Sequence, residues 1–111
     1  MQIKSSKSEC IASRLRTARE LAGLSQGQVA RKMGAHRPTI SEIEAGRRRV
    51  TAEELNEFAQ LYCVTVSWLA CEDTDSHDPD KDKIYLAARE LSKLKKEDQE
   101  RLFQIIRVIR E

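Results

Sequence analysis

The stretch from residue 24 to residue 50, LSQGQVARKMGAHRPTISEIEAGRRRV, predicts two short helices joined by a tight turn. Ser25 is a residue that caps helices, so the first helix is expected to begin directly after it. Gly34 can adopt the left-handed conformation that ends a helix. Pro38 fits the first turn of a second helix, where a backbone N–H would have no partner in any case.

The apolar residues of this stretch fall at helical spacing. Val29 and Ala30 give the first helix an inward face, and Ile40 and Ile43 do the same for the second. Because the turn is only a few residues long, the second helix must cross the first steeply and leave its outer side free. This layout is a helix-turn-helix, which places its second helix in the major groove of DNA. Here that helix is predicted over residues 36–45.

Three further helices are predicted around this motif, and no strand pattern or internal repeat is present. Two of them have capping residues, Thr51 with Glu54 in a capping box and Thr65 alone. Their apolar residues recur at three and four positions. The sequence therefore predicts an all-α domain whose first, fourth and fifth helices span about residues 9–22, 51–62 and 66–70.

A spaced set of residues runs through all five helices, at Arg19, Leu24, Ser25, Gln26, Val29, Ala30, Gly34, Ile40, Ile43, Glu44, Gly46, Leu55, Phe58, Ala59, Val66, Ser67, Trp68 and Leu69. With this pattern, residues 9–70 resemble the Cro/cI-type family of helix-turn-helix transcription regulators, also called lambda-repressor-like or XRE. The resemblance implies a five-helix lambda-repressor-like DNA-binding domain, here followed by a C-terminal two-helix segment. It also implies a cytoplasmic protein of bacterial or phage origin.

The residues predicted to read bases lie in the N-terminal part of the second motif helix, which faces base edges in this motif. Arg37 can donate two hydrogen bonds to guanine O6 and N7, worth about 1–3 kcal/mol of discrimination. The alternative for Arg37 is a phosphate contact. Glu42 can accept a hydrogen bond from a cytosine amino group, or it is an acid on a solvated face. The predicted base-reading set is His36, Arg37, Pro38, Ser41 and Glu42.

Phosphate contacts are predicted at the start of the first motif helix and after the second. A helix N-terminus carries partial positive charge and free N–H groups, which suit a phosphate. The family resemblance implies a DNA backbone contact for Gln26, whereas Gln28 is equally suited to a capping box with Ser25. Thr39 contacts a phosphate or a thymine methyl group, or it braces the helix start. The predicted phosphate-binding set is Gln26, Gln28, Thr39, Arg47, Arg48 and Arg49.

The resemblance also implies that Arg19 and Glu44 form a structural ion pair between the first and third helices. Glu44 is therefore not interpreted as a catalytic carboxylate. The sequence departs from common family members at Arg37–Pro38, where Gln, Ser or Thr is frequent. No relative's operator sequence can be carried over for that reason.

The C-terminal part of the chain reads as a linker followed by two helices. Residues 72–82 are polar and acidic, and residues 83–95 and 98–110 have helical apolar stripes, with Asp98 as the last helix's cap. The apolar arc of the last helix is wider than about 200°, more than one neighbouring helix covers. Either the last helix packs on both the previous helix and the main domain, or the two C-terminal helices form a hairpin that pairs with the same hairpin of a second chain. The predicted dimer interface is Ile84, Leu91, Leu102, Phe103, Ile105, Ile106 and Ile109.

The charge distribution agrees with a DNA-binding N-terminal part. The net charge of the chain is +2, and the basic excess lies in residues 1–71, whereas residues 72–111 carry more acids than bases. Residues 1–8 are predicted to be a flexible arm. No apolar run is long enough to span a membrane, so no membrane association is predicted.

Cys10, Cys63 and Cys71 are an odd number of cysteines without CxxC spacing. Disulfides are not expected in a cytoplasmic DNA-binding protein. Cys10 and Cys63 are therefore interpreted as small core residues, Cys71 as exposed and His77 as solvated. A redox role for Cys71 and a zinc site from Cys63, Cys71 and His77 are disfavoured alternatives.

The function predicted from these features is sequence-specific binding of double-stranded DNA by a homodimeric repressor, at a palindromic operator. No catalytic residue, metal or cofactor is predicted. The alternative is an antitoxin-type or bridging protein whose C-terminal helices bind another protein.

Overall fold

The computed structural model describes residues 3–74 and 77–111, and the regular structure in these ranges is entirely helical. The predicted all-α class is confirmed. Within these ranges the chain forms seven helices, namely α1 (Ile3–Leu21), α2 (Gln26–Met33), α3 (Arg37–Glu44), α4 (Ala52–Tyr62), α5 (Val66–Leu69), α6 (Pro79–Ser92) and α7 (Lys96–Arg110). None of these helices is long and apolar enough to cross a membrane.

The helix ends of the motif are those that the capping residues predict. Both halves of a capping box are formed at α2 by Ser25 and Gln28, and both are formed at α4 by Thr51 and Glu54. Gly34 ends α2 in the left-handed conformation, with φ of 66°. These caps satisfy backbone N–H and C=O groups that a helix end leaves without partners, so the short motif helices begin and end sharply.

The core lies between α1 and the helices that follow it. The α2–α3 pair packs on α1 through its apolar side, and α4 and α5 close the core from the other side. Leu86 of α6 is buried in the same core, and the ring of Tyr85 stacks on that of Trp68 at 5.3 Å. The central side chains are Leu15, Val29, Ile40, Ile43, Leu55, Phe58, Tyr62, Trp68 and Leu69.

Helix α1 begins at Ile3, so residues 3–8 of the predicted arm are its first turns, while residues 1–2 lie outside the described ranges. No Pro or Gly precedes Gly23, so nothing in the sequence interrupts this helix. The side chain of Lys7 also donates a hydrogen bond to the carbonyl oxygen of Cys71, which holds the early turns against the rest of the fold.

Helix α6 begins at Pro79 rather than at residue 83, so the last residues of the predicted linker are helical. Asp78 accepts a hydrogen bond from the backbone N–H of Asp80 at 3.0 Å, which caps the helix, and Pro79 occupies its first position. Asp followed by Pro is a start signal for a helix that the acidic composition of the segment concealed. Asp75 and Ser76, also in the predicted linker, lie outside the described residues.

Helix α7 begins at Lys96, and Lys95 precedes it without a side-chain cap. Asp98 lies within the first turn, so its predicted capping role is wrong. No residue of α7 is buried. Gln99 Nε2 of α7 donates a hydrogen bond to the Leu91 carbonyl oxygen of α6 at 2.8 Å. Helix α6 packs on α1, and the predicted hairpin of α6 and α7 stays a prediction.

The cysteines differ most from their predicted roles. Cys10 and Cys71 form a disulfide with their Cα atoms 6.3 Å apart, and Cys71 is fully buried rather than exposed. Cys63 is an exposed free thiol rather than a core residue. The reason is that Cys63 follows α4 in a left-handed conformation, with φ of 57°, off the buried face of that helix. Spacing along the chain carried no signal for the pairing.

Candidate nucleic-acid interface

The predicted base-reading residues come together on the outer side of α3. Ile40 and Ile43 point into the core, which fixes the opposite side of this helix toward solvent. His36 is the extended residue before α3 and makes no side-chain capping bond. The outward positions are His36, Arg37 and Pro38, which are exposed, and Ser41 and Glu42, which are half-buried.

An ion pair holds α3 to α1, as the family resemblance implies. Arg19 Nε lies 2.8 Å from Glu44 Oε2, and Arg19 Nη2 lies 3.1 Å from Oε1. Arg19 Nη1 also donates to the carbonyl oxygen of Leu24 at 2.8 Å. The same Glu44 accepts a bond from Gln26 Nε2 at 3.1 Å. Gln26 therefore joins the start of α2 to α3, and its DNA contact stays a prediction.

Gln28 and Thr39 stand at the starts of the two motif helices. Gln28 Oε1 accepts from the Ser25 backbone N–H at 2.8 Å, so the capping role weighed for Gln28 is present. The backbone N–H of Gln28 donates to Ser25 Oγ at 3.0 Å, and a phosphate contact by the side-chain Nε2 stays a prediction. Thr39 is half-buried in the first turn of α3, where its backbone N–H donates to the His36 carbonyl oxygen at 2.9 Å.

Residues 47–49, called here the arginine loop, follow α3 and are exposed. Arg47 binds Glu42 through two bonds of 2.9 and 3.0 Å, and hydrogen bonding by Arg47 lowers the pKa of that carboxyl. Arg48 binds Glu54 through two bonds of 3.0 Å, which likewise lower the pKa of Glu54. Among the described residues, Arg49 has no side-chain partner.

These pairs change the interpretation of Glu42. In the free protein its carboxylate already accepts two hydrogen bonds from Arg47, so contact with a cytosine amino group requires Arg47 to move. Glu54 was missed as part of this surface, because its capping role at α4 explained its presence fully. The signal for its pairing with Arg48 was the position of Glu54 in the first turn of a helix that closely follows the arginine run.

The arginine loop forms one wall of a groove of about 750 Å³ whose other wall is the start of α1. Lys7 and Ser8 lie on the α1 side, and the floor is apolar. The floor residues are Ile11, Ala12, Ile43, Val50 and Leu55. The early turns of α1 therefore border the surface on which phosphate contacts are predicted.

A second charged cluster lies around Arg14 of α1 and was not predicted. Arg14 is buried, and its Nε lies 3.1 Å from Asp82 Oδ1 and its Nη1 2.6 Å from Asp73 Oδ1. Nη1 also donates to the Trp68 carbonyl oxygen at 2.7 Å, and the guanidinium lies 4.6 Å from the Trp68 ring centroid. His77 Nε2 is 2.8 Å from Asp82 Oδ2, so His77 is partnered rather than freely solvated.

Burial would lower the pKa of Arg14, but the hydrogen bonds to Asp73 and Asp82 outweigh it and raise that pKa. Arg14 is therefore fully charged, and it joins α1 to α5, to α6 and to the residues between them. The signal in the sequence was an arginine beside the apolar stripe of α1, between Ile11 and Leu15.

The residues predicted as a dimer interface are mostly on the surface. Ile84 is 69% exposed and Ile109 is 77% exposed, whereas Leu91 is half-buried. Leu102, Phe103, Ile105 and Ile106 of α7 are exposed as well. An apolar surface is therefore present at the predicted place.

The two short helices, their turn and the arginine loop define a helix-turn-helix DNA-binding domain. A family model described as a helix-turn-helix domain matches residues 11–69, which is more than half of the chain. The chain belongs to this helix-turn-helix family, consistent with the predicted resemblance to XRE and Cro regulators. No curated protein and no solved structure matches the chain.

Proposed function

We propose that this protein is a sequence-specific transcription regulator, which represses as a homodimer on a palindromic operator. It would act without catalysis or a cofactor, in the cytoplasm of a bacterium or a phage host. The observation that carries the proposal is the outer side of α3, where Arg37 is exposed and has no side-chain partner among the described residues. An unpaired guanidinium on a recognition helix is ready to bind guanine.

The contacts fall into two classes in this proposal. His36, Arg37, Pro38 and Ser41 face base edges, and Arg37 selects guanine. The arginine loop, Gln26, Gln28 and Thr39 bind phosphates, which sets affinity and salt dependence rather than sequence choice. Arg47 and Arg48 exchange their carboxylate partners for phosphates, which both pairs permit because they lie on the surface.

Dimerisation through α7 and the exposed side of α6 is supported by the absence of any buried residue in α7. A helix with six exposed large apolar residues needs a partner surface. In a two-fold dimer, the two α3 helices must lie about 34 Å apart to enter successive major grooves. Such a dimer excludes RNA polymerase when its operator overlaps a promoter.

The test is selection of bound duplexes from a random DNA library at near-physiological salt, combined with light scattering of the free protein. We expect a two-fold symmetric motif with half-sites about one helical turn apart, and a dimer in solution. Salt-sensitive binding without an enriched sequence would contradict sequence-specific regulation.

The dimer surface is tested with Ile105→Glu/Ile106→Glu, which puts two charges on the apolar side of α7. Gln104→Glu, on the polar side, is the matched control. The double variant should be monomeric and should lose binding to the symmetric duplex, whereas the control should stay dimeric. A dimer that survives the double variant would contradict this surface.

The second candidate is a protein-binding role of α7, as in an antitoxin-type or bridging protein. The same exposed face favours it. A chain that is monomeric in light scattering at micromolar concentration, with α7 intact, would support this candidate over the homodimer.

A further inference from the structure

One face of α1 holds the segment that leads to the C-terminal helices. Lys7, Cys10 and Arg14 follow one another at spacings of three and four, so they share this face. Lys7 donates to the Cys71 carbonyl oxygen, and Cys10 is bonded to the Cys71 sulfur. Arg14 binds Asp73 and, at the start of α6, Asp82. The start of α6 is thus positioned from α1.

The disulfide also bears on the DNA surface. Lys7, Ser8 and Ile11 lie close to Cys10 along the chain, and they line the groove beside the arginine loop, Lys7 and Ser8 in its wall and Ile11 in its floor. The disulfide therefore holds the turns of α1 that border the predicted phosphate-binding surface. It also closes a loop of the chain, from residue 10 to residue 71, that contains α2 through α5.

We propose that the Cys10–Cys71 disulfide is a redox switch that sets DNA affinity. The oxidised form holds the start of α1 beside the arginine loop and holds α6 in position, and it binds the operator more tightly. Reduction releases the start of α1 and the start of α6, and it weakens binding of the operator. This inference rests on the proposed function, because the disulfide can change DNA affinity only if the protein binds DNA. A reducing cytoplasm makes such a bond conditional rather than permanent.

The reaction is thiol–disulfide exchange with a cellular dithiol as the reductant. A thiolate of the dithiol attacks one sulfur of the Cys10–Cys71 bond, and the other sulfur leaves as a thiolate and takes up a proton. The second thiol of the reductant then displaces the first protein sulfur from the mixed disulfide. The protein gains two electrons and two protons, and the dithiol becomes a disulfide. A small-molecule disulfide reverses the sequence by the same steps.

Burial controls how quickly this exchange occurs. Cys10 is 2% exposed and Cys71 is fully buried, so attack requires the start of α1 to open. Cys63 is the exposed thiol of the chain's three cysteines and lies outside the bond. Replacing it with Ser removes thiol exchange between molecules and leaves the switch intact.

The experiment uses the full chain with Cys63→Ser, oxidised and then reduced with dithiothreitol. Its probe is the duplex enriched in selection with the oxidised protein. We expect the Kd for this duplex to rise about fivefold or more on reduction and to recover on re-oxidation. The Tm of the free protein should fall by about 10 °C or more, because the bond closes a long loop. Saturating duplex should raise the dithiothreitol needed for half-reduction, since coupling is reciprocal.

The variant Cys10→Ser/Cys71→Ser should behave like the reduced protein and should not respond to dithiothreitol. If this variant does not fold, the reversible cycle of the Cys63→Ser chain carries the test alone. Equal Kd values in the two redox states would overturn the switch and leave the proposed function standing. Failure of the oxidised chain to enrich any duplex would instead overturn the proposed function, and the switch with it.

Discussion

Two arginines on α1 each bind at least one carboxylate and a backbone carbonyl oxygen, yet they join α1 to different parts of the molecule. Arg19 binds Glu44 and Leu24, at the helix-turn-helix, and these residues with Gln26 are called the Arg19 cluster. Arg14 binds Trp68, Asp73 and Asp82, ahead of the C-terminal helices. These residues with His77 are called the Arg14 cluster.

The difference between the clusters is one of burial and charge. The Arg14 side chain is 4% exposed and that of Arg19 is 12% exposed, whereas their carboxylate partners Asp82 and Glu44 are buried alike, at 5% and 4%. Arg14 also faces two carboxylates, and Arg19 faces one. Helix α1 binds α3 through Arg19 and α6 through Arg14. It therefore fixes the position of the recognition helix relative to α6. A buried ion pair adds little net stability compared with well-packed apolar residues, but removal of one partner leaves an uncompensated buried charge.

The largest expected effect comes from Arg14→Ala, which leaves the Asp82 carboxylate buried without its cation. Breaking a buried pair in this way costs about 3–5 kcal/mol of the free energy of unfolding. Urea unfolding followed by circular dichroism measures it. The control is Arg16→Ala, whose exposed pair with Glu20 should be worth about 0.3–0.5 kcal/mol. A loss below about 1 kcal/mol for Arg14→Ala would be that of a surface ion pair and would contradict the larger effect expected of the Arg14 cluster.

A smaller loss is expected from Glu44→Gln, which keeps the size of the side chain and one carbonyl oxygen but removes the charge. Hydrogen bonds to charged groups are worth about 1.5–3 kcal/mol, and Arg19 is closer to solvent than Arg14. The same urea measurement applies, with Glu20→Gln as the control. A loss for Glu44→Gln that exceeds the loss for Arg14→Ala would reverse the comparison.

The Arg19 cluster was predictable and the Arg14 cluster was not, for a physical reason. The pair of Arg19 and Glu44 was predicted from the family resemblance, and the helix caps were predicted from local spacing. Asp73 and Asp82 lie in an acidic run that reads as a linker, and only the packing of α6 on α1 brings them to Arg14. Contacts made across long separations leave no periodic signal in the sequence.

The cysteines and Glu42 show the same limit on the candidate site. The outer side of α3 follows from Ile40 and Ile43, so the base-reading positions could be predicted from periodicity. The pairing of Glu42 with Arg47 depends on how the loop after α3 turns back, which spacing alone does not determine. The bond between Cys10 and Cys71 depends likewise on the closing of the whole domain.

Arg37 lies outside both clusters, so its replacement separates DNA reading from stability. Arg37→Ala should change the free energy of unfolding by less than about 0.5 kcal/mol, because its side chain has no partner among the described residues. It should lose about 1–3 kcal/mol of discrimination at one base pair of each half-site. Competition binding between the selected duplex and single-base variants measures this. An unchanged base preference would show that another residue reads that base. Arg49→Ala is the control, because loss of a phosphate contact should weaken binding to all duplexes alike.

The smallest expected effect concerns Asp73 and appears only in acid. Hydrogen bonding by Arg14 lowers the pKa of Asp73 below its usual 3.8. A lowered pKa in the folded state stabilises the protein above the unfolded value, and this is lost as the pH falls through the folded value. Since Asp73 is 52% exposed, the contribution is roughly 0.2–1 kcal/mol.

Asp73→Asn should therefore unfold at lower urea than wild type near neutral pH, and the difference should vanish toward about pH 2. Glu72→Gln, at the exposed neighbouring position, is the control and should show no such convergence. A constant difference at all pH values would mean that Asp73 contributes packing rather than charge to the Arg14 cluster. In that case Asp82 alone would supply the carboxylate that balances Arg14, and the two clusters would differ in burial but not in charge.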